Sequence, residues 1–297
     1  ISSMPPKVPC MTNSGEYPVR PTTCLTSFFA VAALAVSAPA IADDHTTPSL
    51  EDVLAMDMRA DDAPRDSFRN PVETLNFFQV EPDMTVVEYG PGGGWYTRVL
   101  APWIAPEGTY YAVDGDTAQR IFANRAQEGR AKSWPETFPA MAAEWTGMDA
   151  DNLVAFESDE APEGVAGTVD RILVIRSIHG LLNGARADSE LRNMRNLLAD
   201  DGMVGVVQHR ANADAPWSYA NGSNGYLKQD DVLALFALNG FELVDTSEIN
   251  ANANDPANWE DGVWTLPPVL RYGDEDRARY EAIGESDRMT LLFRKAD

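Results

Sequence analysis

From residue 84 onward, short apolar runs alternate with stretches whose apolar residues recur every three or four positions, the pattern of strands alternating with helices. The apolar runs predict strands at 85–89, 109–113, 153–157, 170–175, 203–208, 241–248 and 287–294, and the periodic stretches predict helices at 95–104, 117–128, 139–146, 188–198 and 229–238. This order implies an α/β fold: a mainly parallel seven-stranded sheet, right-handed crossovers and helices on both faces. Upstream, Ser49 with Asp52 three residues later predicts a capped helix running through Met58, and Asn70-Pro71 opens another that carries Val72, Leu75, Phe77 and Phe78. The alternation breaks over 250–273, rich in Asn, Asp, Trp and Pro. Connections of that length are functional or disordered. Trp259, Trp264 and Leu266 favour an ordered cap over the C-terminal strand ends, where open α/β sheets bind ligands.

The first residues have a different pattern. Arg20 precedes an apolar stretch over 25–36, and Ala40-Ile41-Ala42 supplies small residues around a cleavage point before Asp43-Asp44. This three-part arrangement predicts an export signal removed after Ala42 and a periplasmic product; a misassigned start would leave the protein cytoplasmic. The stretch is shorter than the ~20 residues that span a bilayer, so no stable membrane insertion is expected after cleavage. The expected organisation is a signal at 1–42, a helical segment at 43–82, and an α/β domain over 83–297 with its cap insertion at 250–273.

Composition narrows the function. The chain has 23 basic and 46 acidic residues, a net charge of −23. Loss of 1–42 removes Lys7 and Arg20 against Glu16 alone, so the remainder is more acidic still. Such a surface repels phosphate backbones and anionic membranes, which leaves a small molecule as the expected partner and argues against nucleic acid. Cys10 and Cys24 would both leave with the signal, excluding disulfides and thiolate chemistry from the mature chain. His45, His179 and His209 are far apart in sequence and no metal-binding spacing is present, so no metal site is expected.

The densest chemical signal is Glu88-Tyr89-Gly90-Pro91-Gly92-Gly93-Gly94-Trp95, directly behind an apolar run, with Asp114 ending the next one. Glycines at 90, 92 and 94 let the backbone turn sharply and approach a ligand closely, and a carboxylate after the second strand can pair with ribose hydroxyls. A dinucleotide fingerprint requires a third glycine where Trp95 stands, and a phosphate loop requires a Lys-Ser or Lys-Thr pair that is missing. The remaining reading is a nucleoside pocket without a pyrophosphate.

The acid-x-Gly-x-Gly-x-Gly form resembles the first motif of class I S-adenosylmethionine-dependent methyltransferases, whose Rossmann-like fold has this strand count. The resemblance implies that Glu88, Tyr89, Gly90, Gly92 and Gly94 line the methionine part of S-adenosylmethionine, that Asp114 holds the ribose, and that Asp159 after the third strand accepts from the adenine amine. It places substrate-facing groups after the fourth and fifth strands, where His179 and His209 stand, with Tyr226 a further polar candidate. These three are the expected catalytic residues, and Arg210 is a candidate for a substrate carboxylate. The Asn-Pro-Pro-Tyr motif of enzymes that methylate amino nitrogens is absent. The segments 248–252, 262–268 and 283–290 are also similar to a bacterial family of predicted methyltransferases that often carry signal sequences. The expected function is methyl transfer to a small acceptor. Because S-adenosylmethionine is made in the cytoplasm, the alternative is an exported protein of this fold that binds another small ligand or catalyses another reaction.

Overall fold

The computed structural model describes residues 47–296; the predicted signal at 1–42 lies outside them. Seven strands form one sheet: β1 Thr85–Tyr89, β2 Thr109–Asp114, β3 Val154–Glu157, β4 Val169–Ile175, β5 Leu198–His209, β6 Phe241–Ser247 and β7 Arg288–Lys295. Their spatial order is β3-β2-β1-β4-β5-β7-β6. The first five pair in parallel, and β7 runs antiparallel to both β5 and β6. This is the Rossmann-like α/β architecture the alternation implied. Among the described residues no helix is long and apolar enough to cross a membrane.

Strand residues that are apolar at successive positions supply both faces of the sheet, as strands covered on two sides require. Val87, Val113, Ile172, Val174, Val206 and Leu291 enter one core with Leu191 and Met194 of the helix Ala187–Leu197 and Phe236 of the helix Gln229–Leu238. Val86, Ala112, Leu173, Val207 and Leu292 enter the other, against Leu100 and Ile104 of the helix Thr97–Ile104, Phe138 of Trp134–Thr146, and Leu75 and Phe78 from the N-terminal segment. A third, smaller cluster joins Ala211, Ala220 and Tyr226, which follow β5, to Trp259, Val263, Leu266 and Tyr280 between β6 and β7.

Several boundaries differ from the sequence expectation. The Ser49 cap forms a full capping box, yet its helix stops at Leu54, and Asp57–Arg59 is a separate 3-10 turn. The stretch expected as one helix over 117–128 is a 3-10 turn at Thr117–Gln119 followed by the helix Arg125–Lys132. No apolar stripe fixed that boundary, since none of the residues in Arg125–Lys132 is buried. Three short helices, Ile178–Asn183, Trp217–Ala220 and Arg277–Ile283, had no periodic signal long enough to register.

Candidate functional site

The sheet order reverses between β1 and β4, whose chains continue to opposite sides, and open α/β sheets form their ligand crevice at such a point. The glycine turn leaves β1 there. Gly90, Gly92 and Gly94 have φ of 67°, 59° and 75°, a left-handed conformation costly to any residue with a Cβ. At Gly94 the space is closed as well: a Cβ would lie 2.3 Å from the Trp145 ring. Trp95 is buried in the core beneath the turn, with the Arg59 and Arg69 guanidinium groups over its ring.

Two adjoining cavities flank the turn. The first, about 350 Å³, is lined by Glu88, the backbone from Gly90 to Gly93, Tyr96, His179, His209 and Trp264. The second, about 210 Å³, is lined by Asp114, Gly180, Leu181 and Arg186; Tyr89, Gly90, Arg176, Ser177 and His179 border both. Glu88 is buried, and its carboxylate Oε2 accepts from Tyr110 Oη at 2.6 Å and from Thr97 Oγ1 at 2.8 Å. Burial outweighs these donors and pushes its carboxyl up to about 7. The Tyr89 side chain packs into the core on the other face, with its hydroxyl beside Gly115.

Asp114 ends β2 half-exposed. Its Oδ1 accepts from the Gly115 N–H at 2.8 Å and its Oδ2 pairs with Arg120 at 3.0 Å. An ionised carboxylate accepts about four hydrogen bonds, so capacity remains for a diol. Asp159 borders neither cavity. Its carboxylate lies within 4.8 Å of those of Asp116 and Glu157, and burial together with these like charges raises its carboxyl. Glu157 is satisfied internally, accepting from the Thr117 N–H and hydroxyl.

His179 and His209 meet at the first cavity with ring centroids 5.8 Å apart. Gln208 Nε2 donates to Gly225 O at 2.8 Å, and its Oε1 and Nε2 both lie 3.4 Å from His179 Nδ1. His209 Nδ1 lies 2.5 Å from Ser286 Oγ. Burial lowers both imidazoles, His209 well below the usual range, so both are neutral at neutral pH. Tyr226 is fully buried, donates to Asp255 Oδ2 at 2.7 Å and lines neither cavity. Arg210 is held by Asp287 and Glu248, at 2.8 Å and 2.7 Å, which leaves its guanidinium committed to the protein.

Sequence reasoning missed the cations of this site. Arg65, Arg69 and Arg98 line the first cavity from the N-terminal segment and the helix after the turn, and Arg176 enters from the end of β4. The available signal was the Arg65 and Arg69 spacing of four, which places both on one helical face.

No family model matches the chain, and no curated protein does. Solved structures are similar in fold. A SAM-dependent methyltransferase from Aquifex aeolicus is 16% identical, with 68% of this chain and 94% of that one covered and a TM-score of 0.44. The 1,6-didemethyltoxoflavin-N1-methyltransferase of Burkholderia thailandensis, holding its substrate and S-adenosylhomocysteine, is 14% identical over 80% of this chain and 82% of that one, with a TM-score of 0.46. The cyclase SpnF is 15% identical over 77% and 80%, also with a TM-score of 0.46. The similarity of 248–252, 262–268 and 283–290 to a signal-bearing family has no counterpart among these comparisons.

Proposed function

We propose that this protein transfers the methyl group of S-adenosylmethionine to a small-molecule acceptor. One observation carries the reading: a left-handed glycine turn at the β1/β4 reversal separates two cavities, with Asp114 at one and buried Glu88 at the other. Under this reading the ribose pairs with Asp114 in the smaller cavity, and the methionine part crosses the glycine backbone into the larger. Glu88, once ionised, then supplies negative charge near the ammonium and sulfonium, where a pyrophosphate ligand would be repelled. Asp159 is the acceptor assigned to the adenine amine.

Displacement at a sulfonium releases a neutral thioether, so the leaving group needs no acid. Alignment of nucleophile, methyl carbon and sulfur supplies about 7 to 11 kcal/mol of barrier lowering. Where the acceptor must lose a proton, a neutral imidazole at the same cavity contributes typically about 10² to 10⁴ in rate. His179 is the better placed of the two, since it borders both cavities while His209 borders only the larger. His209, tied to Ser286, serves as its neighbour in the acceptor cavity. Tyr226, bonded to Asp255, supports the cap and not the reacting atoms.

We read the acidic surface as excluding nucleic acid as acceptor and residues 1–42 as an export signal, which localisation of a C-terminally tagged chain tests. Calorimetric titration with S-adenosylmethionine and S-adenosylhomocysteine tests the cofactor. Micromolar binding of both is expected, and no heat at millimolar ligand overturns the assignment.

A further inference from the structure

The larger cavity is cationic, against the composition of the chain. Arg98 is neutralised by Asp62 at 2.5 Å. Arg65, Arg69 and Arg288 all converge on one carboxylate, Glu285, at 2.8, 3.2 and 3.1 Å. Arg176 has neither an ion pair nor a side-chain hydrogen bond among the described residues, and its Nε is buried without an acceptor. Arg69 is 2% exposed, and its Nη1 and Nη2 are likewise unpartnered. Arg65, Arg69 and Arg288 thus share one carboxylate and Arg176 has none, while the cavity wall adds Glu88 and the already paired Asp62, in a protein of net charge −23.

Such an arrangement is expensive. Buried cations without counter-charges cost several kcal/mol unless something compensates them. Burial and the neighbouring Arg288 and Arg65 bring the Arg176 guanidinium down to about 10, so the surplus is felt within the cluster itself. Arg176 also has φ 57°, a left-handed backbone that is strained for a non-glycine residue. Strain and unpaired charge at one residue of a cavity wall are retained where a ligand uses them.

Resting on the cofactor reading above, we propose that the methyl acceptor is itself an anion, a small molecule whose oxyanion group, carboxylate or phosphate, is held by Arg176 and Arg65 with Arg69 behind them. The cofactor does not offset this charge in net. S-adenosylmethionine carries an ammonium and a sulfonium against one carboxylate, so its entry adds positive charge to an already cationic cavity. An anionic acceptor offsets both, and its reactive atom then lies on the side of the cavity that His179 and His209 line. Guanidinium groups suit either oxyanion through paired, charge-assisted hydrogen bonds.

The test begins with titration of S-adenosylhomocysteine alone, whose failure would sink the cofactor reading and is seen before any anion is added. The protein saturated with S-adenosylhomocysteine is then titrated with malonate, inorganic phosphate and, as control, chloride at constant ionic strength. Malonate or phosphate should bind at least about tenfold more tightly than chloride, and the preferred probe identifies the oxyanion. Arg176→Gln should weaken that binding about tenfold or more while S-adenosylhomocysteine affinity stays within about twofold. Arg65→Gln, at a partly exposed 3-10 turn, gives the same readout should Arg176→Gln not fold. Three results overturn the proposal: no binding above chloride, anion binding abolished by S-adenosylhomocysteine, or binding unchanged in a folded variant. The second would mean that the arginines hold the carboxylate of the cofactor.

Discussion

Glu88 shows how one residue ties stability to ligand charge. Its carboxyl is pushed from 4.5 to about 7 by burial, so the folded state binds a proton that the unfolded chain has released between those values. Its contribution is therefore most favourable below the unfolded value, and stability is lost as pH rises toward and through 7. The full shift corresponds to on the order of 3 kcal/mol. Urea melts at pH 5 and pH 8 should show this decline in the natural chain and a smaller one in Glu88→Gln. The same substitution should reduce affinity for S-adenosylmethionine more than for neutral-sulfur S-adenosylhomocysteine; equal losses would place Glu88 away from the sulfonium. Asp114→Ala should weaken both ligands about tenfold or more by removing charge-assisted hydrogen bonds to the ribose, and unchanged calorimetric affinity would refute the ribose assignment.

The glycine turn and the strands were legible in the sequence because each obeys a local rule. Apolar runs gave all seven strands, and β1 to the residue, while Asn239-Gly240 ended the helix Gln229–Leu238 as expected. At this scale the three glycines are not equivalent. Gly94→Ala meets both the left-handed backbone and the Trp145 ring, whereas Gly92→Ala meets only the Gly90 carbonyl oxygen, at an ordinary 3.9 Å, and carries only the backbone cost of about 1 to 2 kcal/mol. Denaturation should find Gly94→Ala the more damaging by at least about 1 kcal/mol, and Trp145→Ala in its background should recover the packing part alone. The cationic wall was illegible for an equally physical reason. Arginines after a strand or in a short polar turn look like solvated charges, and only tertiary placement brings residues 65, 69 and 176 to one cavity. Arg210 illustrates the converse: it is the arginine that the sequence offers for a substrate carboxylate, yet Asp287 and Glu248 consume it.

Across the whole molecule, Asp255 unites the segments around the third apolar cluster. Its buried carboxylate accepts from Tyr226 Oη, Trp259 Nε1 and the backbone N–H groups of Ala257 and Asp287. Asp255→Ala strands these donors, at about 1 to 3 kcal/mol for each buried group left unsatisfied. Hydrogen exchange should accelerate over 211–227 and 250–283 and leave β1, β2 and β4 protected; uniform acceleration would show that the cap and the sheet open together. The sheet itself sets an order of events. Among the described residues β6 has no sheet partner except β7, and β7 lies between β6 and β5 although it follows both in the chain. A ribosome that has delivered residues 85–247 has therefore made six strands but left β6 unpaired and the inner edge of β5 open. Until residues 288–295 emerge, that edge remains available to other chains, and a nascent polypeptide of this design needs either a chaperone or a short wait.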